Sequence, residues 1–276
     1  MSELRDKMIF DLELKGYSPG TVKLYLANVR NFAKYFNKSP ELLGENEIRQ
    51  YLHYCITEKH FSEIYVNTIH AALKFIYTKT LGRGWNSSKL SRLKQVRKLP
   101  VVLSQSEVKA ILDETSNLKH KAILMTIYGA GLRVSEAANL EIKDIDSENM
   151  QIKVRKGKGK KDRYTLLSDT NLIILRQYFR KYQPSTFLFP GPDPIIPLST
   201  RTIEKVIKAS AKKAGITKTV TPHILRHCFA THLLEGGTDI YYIQRLLGHA
   251  SINSTNLYLH MQRMDLINIK SPLDTL

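Results

Sequence analysis

From residue 18 the chain reads SPGTVKLYLANVRNFAKYF, in which Val22, Leu26, Val29, Phe32, Ala33 and Phe36 recur at steps of three and four. That period places them on one face of a helix. Ser18 followed by Pro19 supplies an N-cap and a proline in the first turn. The opposite face carries Lys23, Arg30 and Lys34, a pattern that suits either a solvated surface or a phosphate backbone. The segments ENEIRQYLHYCITEK and SEIYVNTIHAALKFIYTKT repeat the helical period, so the first hundred residues are predicted to form a small all-helical bundle. From Lys79 to Lys98 there are seven basic residues and no acidic one, with Gly82, Gly84 and a serine pair among them, before Pro100. This reads as a basic linker whose charge points to contact with a polyanion. The expected division is a helical domain over 1–82, a linker over 83–100 and a second domain over 101–276.

The second domain opens on LSQSEVKAIL, where Ser104 and Glu107 have capping-box spacing ahead of an apolar run. HKAILMTIYGAGLRVSEAANL predicts a buried helix, a glycine-bearing turn and a second helix with Arg133 in its first turn. In QIKVRKGKGKKDRYTLL the period changes to two: Ile152 and Val154 alternate with charges, a glycine-rich turn follows, and Tyr164 to Leu167 resume an extended pattern. That predicts a β-hairpin. From Asn171 onward the chain reads as helices joined by loops containing proline and glycine, without internal repeats. The fold class is therefore mainly α (α+β), with one small antiparallel sheet.

Charge sharpens this outline. The 276 residues carry 42 Lys+Arg against 25 Asp+Glu, a formal net charge of +17. The excess is +8 over residues 1–100 and +9 over 101–276, so no single tail accounts for it. Such a balance points to nucleic acid or an anionic surface. Two distant cysteines, Cys55 and Cys228, support neither a disulfide framework nor a cysteine-rich zinc module, and a reducing compartment is expected. No apolar run reaches the length of a membrane span, and charges interrupt the start of the chain. The expected location is cytoplasmic and nucleoid-associated, with no membrane partner.

Candidate chemistry concentrates in TPHILRHCFATHLLEGG, residues 221–237. His223 and His227 have the spacing of an HExxH zinc helix, but Ile224 stands where that motif has its glutamate, and Arg226 sets a fixed positive charge beside any cation. A phosphate site is better served. With Thr221 as N-cap and Pro222 at N1, His223 and Arg226 fall three apart on the first turn, where free backbone N–H groups also favour an anion. Taken alone, the segment equally suits an arginine paired with a carboxylate and a histidine satisfied by the backbone.

The remaining motifs decide between these. GAGLRVSEAANL, TPHILRHCFATHLLEGG, IQRLLGHAS and STNLYLH occur together and in this order, and the chain so resembles the tyrosine recombinase (phage integrase) superfamily, above all its Xer-like members. The resemblance spans nearly the whole chain and implies a SAM-like, core-binding helical domain followed by a catalytic domain. It places the catalytic roles on Arg133, Lys158, His223, Arg226, His249 and the nucleophile Tyr258. Among the hairpin lysines Lys158 is the best match, with Lys156, Lys160 and Lys161 as neighbours in register. Glu136 stands three residues after Arg133, where it either holds that guanidinium or is a surface carboxylate. His227, His232, His260, Tyr241 and Tyr242 are expected to pack or support, and Cys228 to be a small core residue.

The family's reaction is metal- and ATP-independent: a tyrosine attacks the scissile phosphate, a 3′-phosphotyrosyl link forms and a 5′-hydroxyl leaves. By that resemblance no cofactor and no metal are expected. The partner is a duplex DNA recombination site, worked on by a homo-tetramer holding two duplexes, with a second recombinase or accessory protein as a further partner in some relatives. MQRMDLINIKSPLDTL is the candidate for a segment exchanged between neighbours. Expected DNA contacts are Lys23, Arg30, Lys89, Arg92, Lys94, Arg97, Lys156, Lys160 and Lys161. The competing readings are a non-catalytic DNA-binding regulator, a type IB topoisomerase-like relaxase and, least favoured, a metal hydrolase.

Overall fold

The computed structural model describes residues 2–94, 101–155 and 162–248, and they fall into two compact units, Met1–Arg97 and Lys98–Leu276. In the first unit, helix α1 (Ser2–Leu14) is followed by α2 (Pro19–Phe36), α3 (Glu45–Thr57) and α4 (Glu63–Phe75), which continues as a π-helical turn over Ile76–Thr80. Ser18 caps α2 as its sequence requires, accepting from the Thr21 backbone N–H. Val22, Val29, Phe32 and Ala33 are buried, while Lys23, Arg30 and Lys34 are exposed. The period of three and four alone had not singled out α1, whose buried residues Leu4, Met8 and Leu12 repeat every fourth position. They join Phe32, Ile48, Cys55, Ile69, Leu73 and Ile76 in one core.

The basic segment after residue 82 lies along this unit over 83–94. Leu90 is buried, and its carbonyl meets His70 Nε2 at 2.7 Å. Asn67 brackets Leu93, donating to its carbonyl and accepting from its N–H. Arg83 donates to the carbonyls of Glu41 and Leu43, and Lys89 pairs with Glu45 at 3.2 Å. These are loop hydrogen bonds that no periodic pattern announces.

The second unit is built around α6 (Leu118–Ala130), which buries Ala122, Ile123, Leu124, Thr126, Ile127 and Ala130. A helix apolar on nearly every side has to be surrounded. Around it stand α5 (Gln105–Asp113), α7 (Val134–Ala138), α8 (Asp169–Tyr182), α9 (Thr200–Lys213), α10 (Pro222–Glu235) and α11 (Ile240–Leu247). The capping box of α5 is present, with Ser104 and Glu107 bonded reciprocally. The predicted hairpin is β2 (Gln151–Val154) against β3 (Arg163–Leu166), and a short strand β1 (Ile145–Asp146) adds to its edge in the order β1-β2-β3. The inward positions Ile152, Val154 and Thr165 are buried, and Thr165 Oγ1 donates to the Ala130 carbonyl at 2.8 Å.

Gly131 ends α6 in the left-handed region, φ +61°, and a Cβ there would lie 2.3 Å from the Phe229 ring. Both demands exclude a side chain. The turn delivers Arg133 to the N-cap of α7, one residue before the helix in which the sequence reading placed it. Among the described residues no helix is long and apolar enough to cross a membrane.

Candidate active site

Glu136 stands one turn into α7 with its side chain only 7% exposed, so it is not a surface carboxylate. Arg133 donates to it twice, from the backbone N–H to Oε2 at 2.8 Å and from Nη1 to Oε1 at 2.7 Å. Arg163, at the start of β3, approaches in a two-pronged fork, Nη1 to Oε1 at 2.9 Å and Nη2 to Oε2 at 2.8 Å. Arg226 Nη1 lies 3.6 Å from Oε2. Burial raises the Glu136 carboxyl pKa, but the hydrogen bonds and charge of Arg163, followed by the backbone and side-chain hydrogen bonds of Arg133, outweigh it and bring it down to about 2. The carboxylate is therefore ionised throughout the physiological range.

Three guanidiniums around one carboxylate leave a surplus of positive charge. Such a surplus is costly to bury unless an anion arrives to meet it. Arg133 is the most exposed of the three. Its side chain is 20% exposed, and among the described residues Nε and Nη2 carry no hydrogen bond.

Arg226 is held differently. It is buried, and two helix C-termini receive it: Nη1 donates to the Gly131 carbonyl at 2.6 Å and Nη2 to the Leu247 carbonyl at 2.7 Å. Carbonyls at a helix C-terminus carry partial negative charge, which favours a cation. The sequence reading set His223 and Arg226 on one face of the first turn; in the structure Arg226 turns into the protein and His223 is exposed. Thr221 caps α10, accepting from the Ile224 N–H, with Pro222 at N1. Burial, and beyond it the charges of His223 and Arg226, push the His227 imidazole below its ordinary pKa.

The supporting residues of α10 are also placed. His232 bridges Tyr128 Oη at 2.9 Å and the Leu103 carbonyl at 2.9 Å, and Cys228 Sγ accepts from the Leu103 N–H at 3.2 Å. Burial pushes the Cys228 thiol up, as suits a core residue and not a reactive thiolate. Among the described residues no group of three His, Cys, Asp or Glu is gathered that could hold a metal ion.

The structure thus brings together Arg133 and Arg226, adds Glu136 as their shared anion, and places His223 at the start of the helix that carries Arg226. Lys156, Lys158, Lys160, Lys161, Arg97, His249 and Tyr258 lie outside the described residues. Lys23, Arg30, Lys89, Arg92 and Lys94 are all exposed. The residue that motif reading passed over is Arg163. Its signal was parity: it stands two positions before buried Thr165 and opposite buried Val154, and so in phase with the inward side of the hairpin.

Comparison with known proteins follows the same division. The description "Phage integrase family" matches residues 101–264, and "Phage integrase, N-terminal SAM-like domain" matches residues 4–87. From Sinorhizobium fredii, the integrase/recombinase named y4qK is 41% identical over all of this chain and 90% of its own length. Tyrosine recombinase XerA of Pyrococcus horikoshii is 36% identical over 93% of this chain and 88% of its own. In fold, a lambda integrase dimer bound to a COC′ core site superposes with a TM-score of 0.78 at 18% identity, covering 98% of this chain and 99% of that one.

Proposed function

We propose, from the premise that this chain belongs to the phage integrase family and is a tyrosine site-specific recombinase, that the arginine cluster around Glu136 seats the scissile phosphate of duplex DNA. The observation that carries this reading is that Nε and Nη2 of Arg133 carry no hydrogen bond among the described residues, in a cluster with more positive than negative charge. A phosphodiester resists attack because its own charge repels nucleophiles and its alkoxide leaves poorly. Arg133 and Arg226 answer the first difficulty by neutralising the non-bridging oxygens. Tyr258 then forms a bond from its phenolic oxygen to phosphorus as the bond to the 5′-oxygen breaks. His223 takes the phenolic proton, Lys158 gives one to the departing oxygen, and His249 donates a hydrogen bond to the phosphate.

The product is a 3′-phosphotyrosyl link and a free 5′-hydroxyl. Bond energy is kept in the link, so attack by the 5′-hydroxyl of another strand completes exchange without a nucleotide cofactor. Four copies act on two duplexes in this reading, in the cytoplasm beside the nucleoid, with Lys23, Arg30, Lys89, Arg92, Lys94 and Arg97 on the DNA backbone.

The test mixes the purified protein with duplex DNA from the flanks of its own gene, in EDTA, and looks for an SDS-resistant protein–DNA adduct. The adduct is expected with the wild type and absent with Tyr258→Phe. An adduct that persists in Tyr258→Phe, or one that EDTA abolishes, overturns the scheme. Joined products from two duplex sites separate recombination from relaxation of one duplex.

A further inference from the structure

We propose that Arg163 is a positioning residue of this site, fixing the foot of the β2–β3 hairpin so that the hairpin's lysine meets the leaving oxygen. The inference rests on the reading of the site given above. Arg163 is the first residue of β3, opposite Val154. Residues 156–161, Lys158 among them, join the two strands in sequence between that pair.

Three elements converge on this one side chain. Its two Nη atoms fork onto Glu136, the same carboxylate that orients Arg133. Its Nε donates to the Leu246 carbonyl at 2.9 Å, on the last turn of α11. Its aliphatic stem fills the space over Gly248, where a Cβ would come within 2.7 Å of Arg163 Cδ. Gly248 has φ +64° and immediately precedes His249 in sequence. Hairpin foot, Arg133 and the turn leading to His249 are thus registered against one another through a single guanidinium that is itself 10% exposed. A planar fork with a fixed spacing of donors does this, where a lysine ammonium is a point charge that does not reproduce the spacing. Arg163 has no part in the bond changes; it acts through Lys158.

That distinction sets the experiment. The full-length wild type, Arg163→Gln and Arg163→Lys are compared on a nicked duplex at the cleavage position mapped with the wild type. Each is given an ordinary 5′-oxygen leaving group or a 5′-bridging sulfur. The sulfur departs as a thiolate and needs no proton. Melting temperature and DNA affinity are followed alongside.

With the oxygen substrate, Arg163→Gln is expected to form the Tyr258 adduct about 10²-fold more slowly, the ordinary worth of a placed general acid, and Arg163→Lys to fall between it and wild type. With the sulfur substrate most of that loss is recovered in both variants, which a merely structural defect would not permit. Equal losses on the two substrates, or oxygen-substrate rates equal to wild type, overturn the inference while leaving the site reading intact. Failure of the wild type itself to form a Tyr258-dependent adduct on either substrate overturns both. If Arg163→Gln does not fold, Arg163→Lys, which keeps the charge, decides by the same comparison.

Discussion

Arg226 donates to the carbonyl of Gly131 at 2.6 Å, so the left-handed residue that closes α6 also holds the second arginine of the cluster. Arg226 is consequently a larger structural contributor than Arg133, besides being a phosphate ligand in the proposed chemistry. Replacing Arg226 by Ala strands the carbonyls of Gly131 and Leu247 and weakens the compensation of Glu136. Unfolding free energy is expected to fall by about 3 kcal/mol. Arg133→Ala leaves Glu136 its fork from Arg163 and should cost about 1 kcal/mol. Both should slow adduct formation by about 10²-fold or more. Urea titration and single-turnover cleavage of the two variants side by side check this; equal stability losses would contradict the assigned division of labour.

Gly131→Ala tests the turn beneath them. The substitution meets two obstacles, a positive φ and a Cβ 2.3 Å from Phe229. The first costs roughly 1–2 kcal/mol and the second roughly 1–3 kcal/mol. Trimming Phe229 removes only the second, so Gly131→Ala combined with Phe229→Ala should be less destabilised than the sum of the single variants. Strict additivity in that double-mutant cycle would show that the close approach is relieved in some other way.

How much of this was legible in the chain depends on the range of the interaction concerned. The caps at Ser18, Ser104 and Thr221 and the alternation of Ile152 and Val154 are local, and their elements stand where the periods put them. Arg133 and Arg226 were identified by motif, and Glu136 was left between two roles. The choice required knowing that Arg163, 27 positions away, would arrive from another element. The route of residues 83–94 was equally hidden, because its ties to Asn67 and His70 are hydrogen bonds between those side chains and its backbone, which leave no trace in hydropathy. β1 is two residues long, shorter than any period can reveal.

The acid limb of stability should report Glu136. Its folded pKa of about 2 lies below the ordinary 4.5. A depressed carboxylate contributes fully above its unfolded pKa and loses that contribution as pH falls through the folded one, here between about 4.5 and 2. The contribution is on the order of 3 kcal/mol, from about 1.4 kcal/mol per unit. The charges facing it are Arg133, Arg163 and Arg226. Glu136→Gln should be less stable at neutral pH, and its stability should fall less between about pH 5 and 2 than that of the wild type. Parallel curves for the two proteins would remove Glu136 as the source.

The exposed basic residues of α2 make a separable prediction about DNA. Lys23 and Arg30 are exposed on the same helix, and with Arg5 they border a cavity of about 270 Å³ floored by Leu4, Met8 and Leu26. Neither is paired with a carboxylate among the described residues, whereas Lys89 already faces Glu45 at 3.2 Å. Phosphate contacts show themselves as counterion release, each steepening the dependence of log affinity on log salt by about 0.9. Lys23→Gln with Arg30→Gln should therefore weaken duplex binding similarly across sequences and flatten that slope by about 2, while the cleavage rate at saturating DNA stays near wild type. Lys89→Gln should change the slope less, because the Glu45 carboxylate already offsets part of the charge that Lys89 presents to the DNA. Fluorescence anisotropy across a salt series measures the three slopes. An unchanged slope for the double variant would put α2 away from the backbone, and the first unit's contacts would then have to be sought at Arg92 and Lys94.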